Sequence, residues 1–367
     1  MFDSLKNYII KKKFYSDRSK EKFIDENGVL TIPEGVELIS TDMFMGNEKI
    51  KKIICPSSLI FIGSRAFKDC QNLTEIVLND GLQGIGTKAF KNCINLQEVD
   101  IPDSVTEIKH SVFMNCPSLH KVTLSNNLTT IPKNCFRDCD SIKEMDICGQ
   151  VEKIEDCAFY HCRIEKINFC EGIKSFGHKA FFSNSIKELN LPDSLESIGD
   201  FCFVGSQMEI LQPGTNLKYI GNGAFKNCMK LTLAYLPDSV ENIGKFGFQN
   251  NVNLRYVHLP DNLTTLEEGV FTGCVKFKEL EIPKNVQEIK ENAVNIRAVE
   301  RIIFDGEPKI EPNAMSFYWF GKIQNMPKDY TVKKIDKKLQ ITNKEQVLNT
   351  NNDETQISNT DQAALTA

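Results

Sequence analysis

Residues 66–86 read AFKDCQNLTEIVLNDGLQGIG, and the chain repeats that pattern through most of its length. Aligned on the phenylalanine, the copies place Phe44, Phe67, Phe90, Phe113, Phe136, Phe159, Phe181, Phe203, Phe225, Phe248 and Phe271 in register, 23 residues apart except for three successive steps of 22. Val294 takes the place 23 residues after Phe271, and Met315 takes it in a degenerating copy. A fixed period of this length marks a stack of identical supersecondary units. Within a copy, Ile76 and Leu78 alternate with Glu75 and Val77, the period of two that predicts a short strand with one buried face. A turn follows. Leu82 and Ile85 then mark a second inward-facing segment, and the Ala-Phe pair closes the coil. No single coil can bury its apolar face alone, so the copies must stack strand on strand around a continuous core.

The stretches IPDSVTEI at 101–108, LPDSLESIGDFCF at 191–203 and LPDSVENIGKFGF at 236–248 resemble the BspA-type leucine-rich repeats over about residues 29–316. That resemblance implies an α/β-type repeat solenoid with a parallel β-sheet along one face, about 12 coils of 22–23 residues, and short second segments opposite. It also implies a role, since similar proteins are bacterial surface antigens and adhesion-type proteins of mucosal protozoan parasites.

Lys and Arg number 44 against 49 Asp and Glu, for a net charge of −5, and the signs are interspersed. Nothing in this supplies the basic footprint that nucleic acid requires. No run approaches the ~18 apolar residues of a spanning helix, so no integral membrane segment is expected. The N-terminus shows no apolar leader. A cytoplasmic location is therefore expected, with the cell surface as the alternative that the resemblance raises.

At the ends, residues 1–28 read as a cap, with Phe2, Leu5 and Ile9 at helical spacing; the following Lys11–Lys13 run leaves a peripheral membrane peptide as the alternative. Residues 317–330 form an aromatic cap containing the only Trp, and residues 331–367, lacking aromatics, are expected to be disordered.

The chain has 13 cysteines. Cys70, Cys93, Cys116, Cys139, Cys162, Cys228 and Cys274 share one repeat position, where Asn184, Ser206 and Asn251 substitute for them. Small size and hydrogen-bonding ability are what these types share, which predicts a buried ladder serving the turn's backbone groups. Bridges between coils are disfavoured because in-register parallel side chains rarely meet the disulfide dihedral, so reduced thiols are expected. Cys135, Cys139, Cys148, Cys157, Cys162 and Cys170 lie near His161 in sequence, yet the repeat frame distributes them around the coil instead of onto one tetrahedron, and no metal or other cofactor is expected. His110, His120, His161, His178 and His258 are likewise dispersed, which predicts no catalytic cluster and no enzyme.

What remains is binding. The outward strand positions carry Glu75, Glu98, Asp100, Lys121, Glu144, Asp146 and Glu188 in the first half, a mainly acidic row. In the second half they carry Ile210, Leu233, Tyr235, Tyr256 and His258, with Arg255 at the edge. Exposed aromatics with an Arg are the composition of protein-interface centres. The expectation is a non-catalytic module that binds a protein or glycan, as an adhesion molecule or alternatively as an intracellular scaffold or adaptor, with its oligomeric state left open.

Overall fold

A computed structural model describes residues 20–335 and 337–344, apart from the side chains of Ala298, Trp319 and Phe320. The chain forms two units, one ending at Asn184 and the other beginning at Ser185.

In the first unit the face strands Val29–Thr31, Lys52–Ile54, Glu75–Val77, Glu98–Asp100 and Lys121–Thr123 make one parallel sheet, each strand pairing with its equivalent in the next coil. Glu144–Ile147 pairs in the same sense with Lys166–Phe169. On the other side of the coil, two-residue strands repeat the arrangement, as in Phe61–Ile62 with Gly84–Ile85. These second segments are strands, which corrects the α/β-type expectation: no helical segment occurs in the repeats among the described residues. The reason is local. Only about five residues lie between the turns on that side, 82–86 for example, too few to nucleate a stable helix.

The motif around the phenylalanine has a backbone explanation. Residues two before and two after each Phe adopt left-handed conformations, for example Lys88 (φ 57°) and Asn92 (φ 63°) around Phe90. The later position is mostly Asp, Asn or Gly, the types that tolerate this region best. Between the two bends, the Phe67 N–H donates to the Ala89 carbonyl of the next coil at 2.8 Å, and the Phe90 N–H to that of Val112 at 3.0 Å. The rings are buried and stack in register, with centroids 5.3–5.6 Å apart from Phe44 through Phe181.

The second unit repeats this construction, with Phe203, Phe225, Phe248 and Phe271 stacked at 5.4–5.8 Å. Its face strands Ile210–Leu211, Leu233–Tyr235 and Tyr256–His258 are parallel. Val294 and Met315 occupy the buried Phe place, as the period predicts. Neither Val294 nor Met315 is followed two residues later by a left-handed residue, and the chain there runs straight on as the long strands Val294–Phe304 and Met315–Gln324.

The expected disordered segment does not begin at residue 331. Tyr330–Ile335 and Lys338–Asn343 form an antiparallel hairpin, and Lys338–Asn343 pairs in turn with Met315–Gln324. Val332 and Ile341 are buried, and the Tyr330 hydroxyl accepts the Ile310 N–H at 2.8 Å. Apolar residues two apart, Tyr330 with Val332 and Leu339 with Ile341, supply a strand face that the polar average composition conceals. In the aromatic cap Phe317 is buried, whereas Tyr318 is exposed beneath the Lys338 ammonium. The expected N-terminal helix through Phe2, Leu5 and Ile9, the Lys11–Lys13 run, the segment beyond Lys344 and the Trp319 side chain lie outside the described residues.

Candidate binding face and cysteine positions

The cysteine ladder is built from hydrogen bonds. Each buried thiol donates to the carbonyl of the Phe in the preceding coil: Cys93 to Phe67 at 3.2 Å, Cys116 to Phe90 at 3.2 Å, Cys139 to Phe113 at 3.1 Å and Cys274 to Phe248 at 3.1 Å. Asn184 makes the same bond to Phe159 at 2.8 Å, and its side-chain oxygen also accepts the Ile164 N–H at 2.8 Å. Asn251 donates to Phe225, leaving its oxygen Oδ1 buried without a hydrogen bond. Ser206 departs from the expected role, since its hydroxyl is buried and makes no hydrogen bond. Burial pushes the ladder thiols up to about 12 at Cys70, Cys116, Cys228 and Cys274, so they stay protonated and unreactive near neutral pH.

One pair overturns the expectation of reduced thiols. Cys148 and Cys170 form a disulfide, with Cα atoms 4.8 Å apart. They stand at equivalent places immediately after the paired strands Glu144–Ile147 and Lys166–Phe169. Among the described residues no three His, Cys, Asp or Glu side chains converge as metal ligands would.

On the face of the first unit, the acidic row is knitted to its neighbours. Lys52 pairs with Glu75 at 2.7 Å and Lys121 with Glu98 at 3.2 Å. His120 Nε2 lies 3.7 Å from the other Glu98 oxygen. Thr123 donates to Asp100 at 2.6 Å and Asn168 to Asp146 at 2.5 Å, while Glu144 stands in register with Lys166. The mainly acidic row is thus largely paired laterally, one coil to the next.

The second unit differs. Ile210, Leu233 and Tyr256 stand side by side across three strands, with Tyr235 beside His258 one pleat further on. Ile210 is 50% exposed and Tyr235 43%. Leu233 and Tyr256 are half-buried, and Arg255 and His258 are exposed. The Tyr235 and Tyr256 rings lie 5.9 Å apart and tilted by 50°. His258 Nε2 sits 3.8 Å from Asp238. Ile210, Leu233, Tyr256, Tyr235 and His258 thus share one stretch of the strand face, whereas Arg255 lines a separate concavity with Lys276, Lys278 and Glu300.

Sequence reasoning missed a concavity of about 700 Å³ at one end of this ridge, where Lys187, Asn190, Gln207, Gln212 and Lys230 surround Ile210. Its signal was present in the shortened 22-residue copy, whose face strand is only Ile210–Leu211. Beside Tyr256 lies a smaller recess lined by His258, Asp261, Glu281 and Asp305. Burial, then the charge of Asp305 and a hydrogen bond to it, hold the Glu281 carboxyl above its ordinary value. An apolar ridge with polar and charged surroundings can bury a partner's side chains while its rim selects charge.

A model of the BspA type leucine rich repeat region matches residues 20–142, 60–187, 174–298 and 241–357. The chain belongs to the BspA-type leucine-rich repeat family. Among solved structures, this BspA-type chain is similar to a leucine-rich repeat protein from Bacteroides ovatus, at 24% identity and a TM-score of 0.67, over 81% of this chain and 78% of that one. It is also similar to the pneumococcal vaccine antigen PcpA, at 20% identity and a TM-score of 0.49 over 82% and 78%. A leucine rich cell surface protein from Faecalibacterium prausnitzii matches at 23% identity and a TM-score of 0.47 over 75% and 73%. No curated protein is found to be similar to it. The Bacteroides ovatus likeness shows the fold, and no helix among the described residues is long and apolar enough to cross a membrane.

Proposed function

We propose that this BspA-type protein is a non-catalytic binding module that holds a protein or glycan partner on the strand face of its second unit, in adhesion to host cells or tissue. The observation that carries the reading is the ridge Ile210–Leu233–Tyr256 with Tyr235, an exposed apolar and aromatic row beside Arg255. Such residues are the usual anchors of interfaces. The acidic row of the first unit contributes less, because most of its carboxylates already have lateral partners. The Cys148–Cys170 bridge supports surface display, since disulfides persist in oxidising compartments and are rare in the cytosol.

Two measurements test this. A membrane-impermeant label applied to intact native cells should modify the protein; complete protection, with labelling after lysis, would replace adhesion by an intracellular scaffold. The double variant Tyr235→Ala with Tyr256→Ala should weaken capture of the native partner by ~2–4 kcal/mol if both rings are anchors, while leaving the fold intact. Unchanged affinity would remove the ridge from consideration.

A further inference from the structure

Two cysteines occupy the residue after the face strand, and they do so in consecutive coils. Other copies place Pro102, Ser125, Pro192, Pro237, Pro260 and Pro283 there. Cys148 and Cys170 are bonded to one another and half-buried, while the ladder thiols are sealed in the core. The bridge is not needed to hold its coils together. Glu144–Ile147 and Lys166–Phe169 are already in register over four residues, and the Cys170 N–H donates to the Ile147 carbonyl at 3.0 Å. Coils with Pro or Ser at this place pair in the same way. A cystine that is only half-buried and dispensable for stacking can open without unfolding the coils around it.

We propose that Cys148–Cys170 is a thiol–disulfide exchange site for small monothiols of the glutathione type. A thiolate attacks the sulfur of one cysteine, forming a mixed disulfide as the Cys148–Cys170 bond breaks, and the other cysteine leaves as a thiolate and takes a proton from water. A second monothiol attacks the mixed disulfide, releasing the oxidised dimer of the monothiol and the second cysteine thiol. Two monothiols are oxidised to one disulfide, and the cystine gains the two electrons. Selectivity follows from burial: the thiols of Cys70, Cys93 and Cys116 offer neither access nor a thiolate.

The test uses the full-length protein without denaturant. Maleimide should leave Cys148 and Cys170 unlabelled before reduced glutathione is added and label both afterwards, with Cys70, Cys93 and Cys116 still unlabelled when peptides are mapped by mass spectrometry. In a second experiment the Cys148→Ser variant, treated with oxidised glutathione, should gain one glutathione on Cys170. Labelling of both residues before reduction would show that no bridge exists. A bridge that glutathione opens only in urea, or that opens only together with the ladder cysteines, would equally overturn the proposal. The wild-type labelling decides the matter even if the serine variant fails to fold.

Discussion

Phe136→Ala should be the most damaging single change in the first unit, because the ring fills the stack from both sides. It is completely buried, 5.6 Å from Phe113 and 5.3 Å from Phe159, and its carbonyl accepts the Cys162 thiol at 2.8 Å. Truncation leaves a ring-sized void on the order of 100 Å³, which at ~24 cal/mol per Å³ costs ~2.4 kcal/mol before any transfer energy is added. Two stacked neighbours then lose a partner, at ~0.5–1.5 kcal/mol each. These two terms come to ~3.4–5.4 kcal/mol, of the same order as the ~3–5 kcal/mol seen when buried phenylalanines are truncated. Since each coil is held only by its neighbours, the loss should also divide the cooperative unit and lower the slope of the transition. Urea unfolding followed by far-UV circular dichroism measures both quantities. The half-buried Phe182, stacked on Tyr160 at 5.1 Å, provides the comparison and should cost much less as alanine. A loss below ~1 kcal/mol at Phe136 would refute the stacked-core reasoning, since no cavity of that size is so cheap.

The same chemical swap should have different effects at two ladder positions. Asn184→Cys leaves the buried Ile164 N–H without its acceptor and should cost ~1–3 kcal/mol, whereas Asn251→Cys removes an oxygen that has no hydrogen bond and should be neutral or stabilising. Equal shifts in urea midpoint would show that the ladder is indifferent to the second bond. Reducing the Cys148–Cys170 bridge should lower stability by ~3 kcal/mol, the loop-entropy estimate for its sequence separation of 22, without loss of strand content; an unchanged midpoint would contradict it. Glu281 gives a pH dependence: its carboxyl is raised in the folded chain, so the folded state holds that proton more tightly than the unfolded state does. Its stabilising contribution is therefore present below about the ordinary value of 4.5 and is lost as pH rises through the raised value. Glu281→Gln should gain thermal stability relative to wild type on going from acidic to neutral pH, and a difference that stays constant with pH would argue against a carboxyl raised by burial and by Asp305.

The sequence by itself determined the repeat, the buried face and the ladder. A period of 23 residues with inward positions two apart leaves few ways to bury Phe90, Ile76 and Leu82 together, and left-handed tolerance at Asn92 or Asp69 is a property of the residue type. Tertiary structure alone decided how the outward side chains spend their charge. Glu75, Glu98 and Lys121 read as an open row in sequence, but whether they meet depends on rotamers across the register, and in the folded chain they form lateral pairs. Removing those charges from the account leaves the Ile210–Leu233–Tyr256 ridge as the candidate face. It was also the fold that joined Cys148 to Cys170, because bridging depends on the distance and direction of the two side chains across neighbouring coils. The hairpin at 330–343 follows the same logic: its alternating residues become a strand only when Met315–Gln324 offers an edge to pair with. Periodicity encodes which way a side chain points, while what it meets there is a property of the neighbouring coil.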